Sequence, residues 1–185
     1  MMKIACVGDS LTFGYGAETI DYPSALQQLL GDGYQVGNFG VNGACIAGDL
    51  PYHSLSVYRT SAAFRPDVVL MMLGSNDAKP DNWNETDFVN GFAELIRYYQ
   101  HLESNPSVYL LTSPSADKKN DWISCAILTE IIVPMQKRIA EAYNCRLIDL
   151  HKATADVPNC YYCDGVHFSD EGYSYLAKVI AENLQ

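Results

Sequence analysis

The sequence predicts an α/β protein in three layers, a five-stranded parallel sheet covered by helices on both faces. Two observations carry that expectation. Short apolar runs alternate with stretches of helical spacing along the whole chain, the pattern of repeated strand–helix–strand crossovers. One of those runs, Val68–Leu73, contains no polar residue at all, as a strand covered on both faces requires.

Each element follows in order. Lys3–Val7 is a short apolar strand halted by Gly8, and Asp21-Tyr22-Pro23 opens a helix over Tyr22–Leu30. Tyr34–Phe39 is the second strand, and Val68–Leu73, after Pro66, the central third. Residues 85–103 place Phe88, Phe92, Leu95, Ile96 and Tyr99 on one helical stripe. Val108–Leu111 is the fourth strand, ended by Thr112-Ser113-Pro114. A helix of about twenty residues starts near Asp121, and Pro134 inside it is expected to kink or split it. Arg146–Leu150 is the last strand, and Ser169 caps a final helix running to Leu184.

The 185 residues are read as one domain, 1–185. Apolar residues make up 48% and charged ones 18%, an ordinary globular composition. A net charge of −10 argues against nucleic acid or an anionic membrane surface as partner. A neutral ester is indifferent to it. The opening Met1-Met2-Lys3-Ile4 leads straight into the first strand without a secretory apolar core, and no stretch reaches the length of a membrane span. A cytoplasmic location is expected unless a signal peptide has been removed; a homo-oligomer is left open.

Six cysteines invite a disulfide or metal reading. Cys6, Cys45, Cys125 and Cys145 lie in apolar or helix- and strand-like surroundings and read as buried free thiols. Cys160-Tyr-Tyr-Cys163 is half of a zinc spacing with His167 four residues on, but no second pair completes it. Thiols flanking a loop are the better reading, and no metal or cofactor is expected.

Four motifs remain: Gly8-Asp9-Ser10-Leu11, the loop from Asn38 to Gly43, Gly74-Ser75-Asn76-Asp77 and Asp164-Gly165-Val166-His167. Acyl transfer needs a hydroxyl nucleophile, an imidazole base, a group to orient it and donors for the oxyanion. Ser10, His167 and Asp164 suit the first three roles, and Gly43, Asn76 and the Ser10 amide the last. Gly40 is the alternative donor to Gly43. Taken alone, strand-Gly-Asp-Ser is as much a turn or cap as a nucleophile, and no Gly-x-Ser-x-Gly elbow occurs. Of the other histidines, His53, His101 and His151, only His151 rivals His167, because it follows the last strand. Three motifs fall at strand ends, and an open parallel sheet gathers those at its carboxyl edge.

In order and approximate spacing, these four blocks resemble the SGNH subgroup of the GDSL esterases and lipases, over residues 3 to about 184. The resemblance implies a flavodoxin-like fold and cofactor-free hydrolysis through an acyl-enzyme. It further implies Ser10 as nucleophile, Asp164 and His167 completing a triad, and Ser10, Gly43 and Asn76 forming the oxyanion hole. Ser75 stands where Gly or Thr is frequent, a departure outside that set. The segments Asn76–Trp83 and Gly48–Tyr52 resemble bacterial carbohydrate esterases that remove O-acetyl groups. The expected substrate is therefore a small acylated molecule such as an acetylated sugar, contacted by Asp9, Asp77 and Trp83. For Trp83 a core anchor is the competing expectation. Longer acyl chains, as in lysophospholipase- or thioesterase-like members, are the alternative, and an idle sugar-binding protein is a remote one.

Overall fold

In the computed structural model, which describes residues 1–157 and 160–184, five strands form the sheet. They are β1 (Met2–Gly8), β2 (Tyr34–Gly40), β3 (Val68–Met72), β4 (Ser107–Leu111) and β5 (Arg146–Ile148). Every neighbouring pair is parallel and the order is β2-β1-β3-β4-β5, the flavodoxin-like arrangement.

Alternation along the strands divides the core in two. Ala5, Val7, Val69, Met71, Val108 and Leu110 face one side, under α4 (Glu85–Gln100) and α5 (Val133–Ala142). Ile4, Cys6, Val68, Leu70, Met72 and Leu111 face the other, under α2 (Tyr22–Leu30) and α7 (Asp170–Asn183). The stripe of Phe88, Phe92, Leu95, Ile96 and Tyr99 is wholly buried and is what holds α4 down. Each such side chain contributes roughly 1.5–3 kcal/mol by leaving water. The three layers expected from sequence are the three layers observed.

Element ends differ from the expectation for local reasons. The fifth strand stops at Ile148 because Asp149 caps α6 (Leu150–Thr154), its carboxylate accepting from the Lys152 N–H. The helix expected from near Asp121 begins only at residue 125. Asn120 intervenes: its side-chain oxygen accepts from the N–H groups of Trp122 and Ile123 and holds a turn. Pro134 marks the point where the helix changes type: it stands in the first turn of α5, directly after a π-helical segment. The segment Ile127–Ile132 widens to a π-helical turn in which Val133 donates to the Leu128 carbonyl. The wider turn makes room where the proline ring would strike a carbonyl of the preceding turn.

Register brings the site elements together. Gly8 is level with Gly40 on one side and Met72 on the other, so three chain segments leave the sheet side by side. Gly40 is where α1 (Ser10–Phe13) crosses β2: a Cβ there would lie 2.2 Å from the Phe13 nitrogen. No side chain fits. No helix among the described residues is long and apolar enough to cross a membrane.

Candidate active site

Asp9 ends β1 and caps α1 through its Oδ1, which accepts the Leu11 N–H at 2.9 Å. That places Ser10 in the first turn, its side chain at the sheet edge. From the far end of the chain, residues 160–169 double back: Tyr162 N–H donates to His167 O at 2.8 Å, and Tyr161 bridges Phe168. The tip of this turn is Asp164-Gly165, and it carries His167 over the edge.

The three polar side chains then form one hydrogen-bonded series. His167 Nε2 lies 2.7 Å from Ser10 Oγ, and His167 Nδ1 lies 2.6 Å from Asp164 Oδ2. The other carboxylate oxygen, Oδ1, accepts the Val166 and His167 N–H groups at 2.9 and 3.0 Å. Because a carboxylate accepts, Nδ1 carries the proton and Nε2 is left to accept from the serine hydroxyl. Burial pushes the Asp164 carboxyl upward, but the hydrogen bonds from His167 and Val166 outweigh it and hold it below the usual range.

The donors opposite Ser10 are also fixed. Asn76, in the turn Asn76–Ala78 after β3, donates one amide hydrogen to the Ala44 carbonyl at 2.9 Å. Its second hydrogen has no acceptor among the described residues. Gly43 has φ +82, a conformation open to glycine and strained for other residues. Its N–H has no acceptor among the described residues. Gly40, by contrast, donates its N–H to Asn38 Oδ1 at 2.9 Å. It is spent, which decides between the two glycines as available donors. Ser10, Gly43, Asn76 and His167 line a common cleft of about 170 Å³.

The rest of the expected set lies elsewhere. Asp9 and Asp77 are fully buried and do not line the cleft. Asp77 accepts from Ile46 and Ala47 N–H at 2.9 and 2.8 Å, tying down the loop after Gly43. Burial raises its carboxyl above the ordinary value. Asp9 is pushed up to about 7, chiefly by burial and against the Leu11 hydrogen bond, and its Oδ2 has no hydrogen-bond partner among the described residues. Trp83 packs on Phe88 with ring centroids 5.3 Å apart, the anchor rather than the sugar platform. Contact of these three with substrate therefore has no support in their positions. His151 places Nδ1 3.1 Å from the Ser113 carbonyl, away from Ser10.

Several cleft residues were given no role from the sequence, Tyr15, Lys79, Trp122 and Ile123 among them. Tyr15 lays its ring 4.5 Å from the His167 ring, tilted by 50°. Trp122 is 66% exposed. A signal for it existed in the polar run Asp117–Asp121 immediately before it, which marks a surface loop beyond the fourth strand.

The thiols vary more than expected. Cys6, Cys45 and Cys160 are buried, Cys125 and Cys145 half-buried, and Cys163 exposed. Burial drives Cys6 up to about 12 and Cys45 to about 11, so these two stay protonated and inert.

A serine, histidine and aspartate in series at the carboxyl edge of a doubly wound sheet is the architecture of an α/β/α acyl hydrolase. The chain belongs to the GDSL-like lipase/acylhydrolase family, whose model matches residues 6–175. It is 32% identical to an acetylxylan esterase of Xylanibacter ruminicola over 207 aligned positions, covering 100% of this chain and 43% of that protein. The chain thus spans less than half the length of that relative. Among solved structures it is similar to a lipase/acylhydrolase of Enterococcus faecalis, at TM-score 0.78 and 26% identity, over 98% of this chain and 94% of the other. The fold is shared as well with a carbohydrate acetylesterase family member of Sinorhizobium meliloti, at TM-score 0.79 and 23% identity, covering 98% and 96%.

Proposed function

We propose that this protein hydrolyses short acyl esters, chiefly O-acetyl groups on a carbohydrate or other small molecule, through an acyl-enzyme on Ser10. The observation that carries this reading is the unbroken series Ser10–His167–Asp164, with the hydrogen bonds at 2.7 and 2.6 Å. His167 Nε2 takes the Ser10 proton as Oγ attacks the ester carbonyl. The tetrahedral oxyanion receives hydrogen bonds from Gly43 N–H, Ser10 N–H and the second Asn76 amide hydrogen. Protonated His167 then gives its proton to the leaving alcohol, and water repeats the sequence to free the acid and Ser10.

The size of the cleft, about 170 Å³, supports a short acyl group over a long chain. The acetylxylan esterase relative supports acetyl on sugar. The substrate of this reading is a small acylated molecule, free of nucleic acid and membrane.

Turnover of p-nitrophenyl acetate, butyrate and octanoate, with acetate release from acetylated xylo-oligosaccharides, tests it. The expected order is acetate over butyrate over octanoate, with acetate released from the sugar. A rise toward octanoate would move the substrate to lipids or thioesters. Inertness toward every ester, with glycan binding by calorimetry, would make it a binding protein.

A further inference from the structure

Two loops carry oxyanion donors, Gly43 on one and Asn76 on the other, and side chains tie them together. Asn76 donates an amide hydrogen to the Ala44 carbonyl at 2.9 Å. Asp77 accepts the Ile46 and Ala47 N–H groups at 2.9 and 2.8 Å. Asn82 adds a further contact, because its side chain lies against Gly48. A Cβ on that glycine would stand 2.5 Å from Asn82 Cγ. The contact joins the segments Gly48–Tyr52 and Asn76–Trp83, and apart from Asn76 neither supplies the catalytic series or its donors.

Asn82 also reaches Asn76 itself. Its Nδ2 donates to the Asn76 carbonyl at 3.0 Å, and both residues are buried. The same carbonyl accepts the Lys79 N–H at 3.3 Å, longer than the roughly 3.2 Å limit of an ordinary N–H···O bond. The turn Asn76–Ala78 is therefore closed weakly by its own backbone and held mainly by Asn82. The chain at Asn82 is fixed in its turn. Its N–H donates to the Lys79 carbonyl at 3.0 Å, and the next residue, Trp83, packs on Phe88. Asn82 does not line the cleft.

We propose that Asn82 is a positioning residue for the oxyanion hole. It clamps the backbone of Asn76 while the Ala44 carbonyl clamps the side chain, and the second amide hydrogen meets the oxyanion only with both in place. This rests on the esterase reading above, in which Asn76 stabilises the transition state. Preorganised donors act on the transition state rather than on bound substrate. Loss of the clamp should therefore show in kcat and not in KM.

The test assays Asn82→Ala, Asn82→Leu, Asn76→Ala and the double variant combining Asn76→Ala with Asn82→Ala. Each is measured for kcat and KM on p-nitrophenyl acetate, with thermal melts to verify folding. Asn82→Leu keeps bulk against Gly48 and removes only the donor. Both Asn82 variants should lose about 10- to 100-fold in kcat, the scale of a misplacement near 1 Å, with KM within about twofold. In the Asn76→Ala background, Asn82→Ala should cost less than about twofold more, because the group it positions is gone. Unchanged kcat in Asn82→Leu, a loss carried by KM, or losses that multiply in the double variant would each overturn the inference. So would failure of both Asn82 variants to fold, which would make Asn82 a determinant of stability instead. Undiminished kcat in Asn76→Ala would remove the oxyanion role of Asn76, and this inference with it.

Discussion

Asp164 holds His167 at two points: Oδ2 meets the ring Nδ1 at 2.6 Å and Oδ1 meets the backbone N–H at 3.0 Å. One carboxylate, three residues back across a glycine, thus sets both the place of the residue and the tautomer of its ring. Asp164→Asn should lower kcat by about 10³–10⁴-fold, since an amide facing Nδ1 moves the ring proton to Nε2 and abolishes the base. Steady-state turnover of p-nitrophenyl acetate, with circular dichroism to verify folding, checks this. A loss below tenfold would mean that another group orients the ring.

Asn76 is aimed by the Ala44 carbonyl, so its free hydrogen costs no reorganisation during reaction. Asn76→Ala should reduce kcat about 10²–10³-fold, with KM little changed, because the interaction forms only with the oxyanion. A change confined to KM would assign Asn76 to ground-state binding instead.

Much of this was legible in the sequence, and the residues show why. Ser10, Gly43 and Asn76 follow strand ends that a parallel sheet must bring to one edge, and strand periodicity alone locates those ends. Asp164 and His167 are near neighbours in the chain, so a tight turn suffices to pair them. Trp122 and Lys79 were not legible as cleft residues. Their position depends on the Asn120 turn and the Ser124–Ala78 hydrogen bond, contacts with no periodic signature. Trp83 stayed open between a sugar platform and a core anchor because its motif borders Asn76, and only the packing of its ring on Phe88 favours the anchor. Pro134 signalled a break but not its form, a change from π-helix to α-helix that a lone proline does not specify.

Asp9 makes stability depend on pH in an unusual direction. The folded chain keeps its proton up to about pH 7, while an unfolded aspartate releases it near pH 4. Between those values the folded state binds more protons, so stability falls as pH rises from about 4 to about 7 and levels off above. Across the interval the loss is at most about 4 kcal/mol. Asp9→Asn keeps an acceptor for the Leu11 N–H and should flatten this slope. Urea melts at a series of pH values test it; parallel profiles for wild type and variant would contradict it.

Tyr15 lies against the His167 ring, which in the proposed mechanism becomes an imidazolium in the transition state. Tyr15→Ala should cost about two- to fivefold in kcat through the lost cation–π contact, and Tyr15→Phe should restore it. Equal loss in both variants would point to the hydroxyl rather than the aromatic face.

The proposed mechanism stands on Ser10 as the acylated nucleophile. The most direct measurement is inactivation with a phosphonofluoridate ester, followed by peptide mapping of the adduct and assay of Ser10→Ala. One adduct per chain is expected, on Ser10, forming in step with the loss of esterase activity. Ser10→Ala should then be unlabelled and at least about 10⁴-fold less active. Full inactivation with Ser10 unmodified, or undiminished turnover by Ser10→Ala, would contradict it.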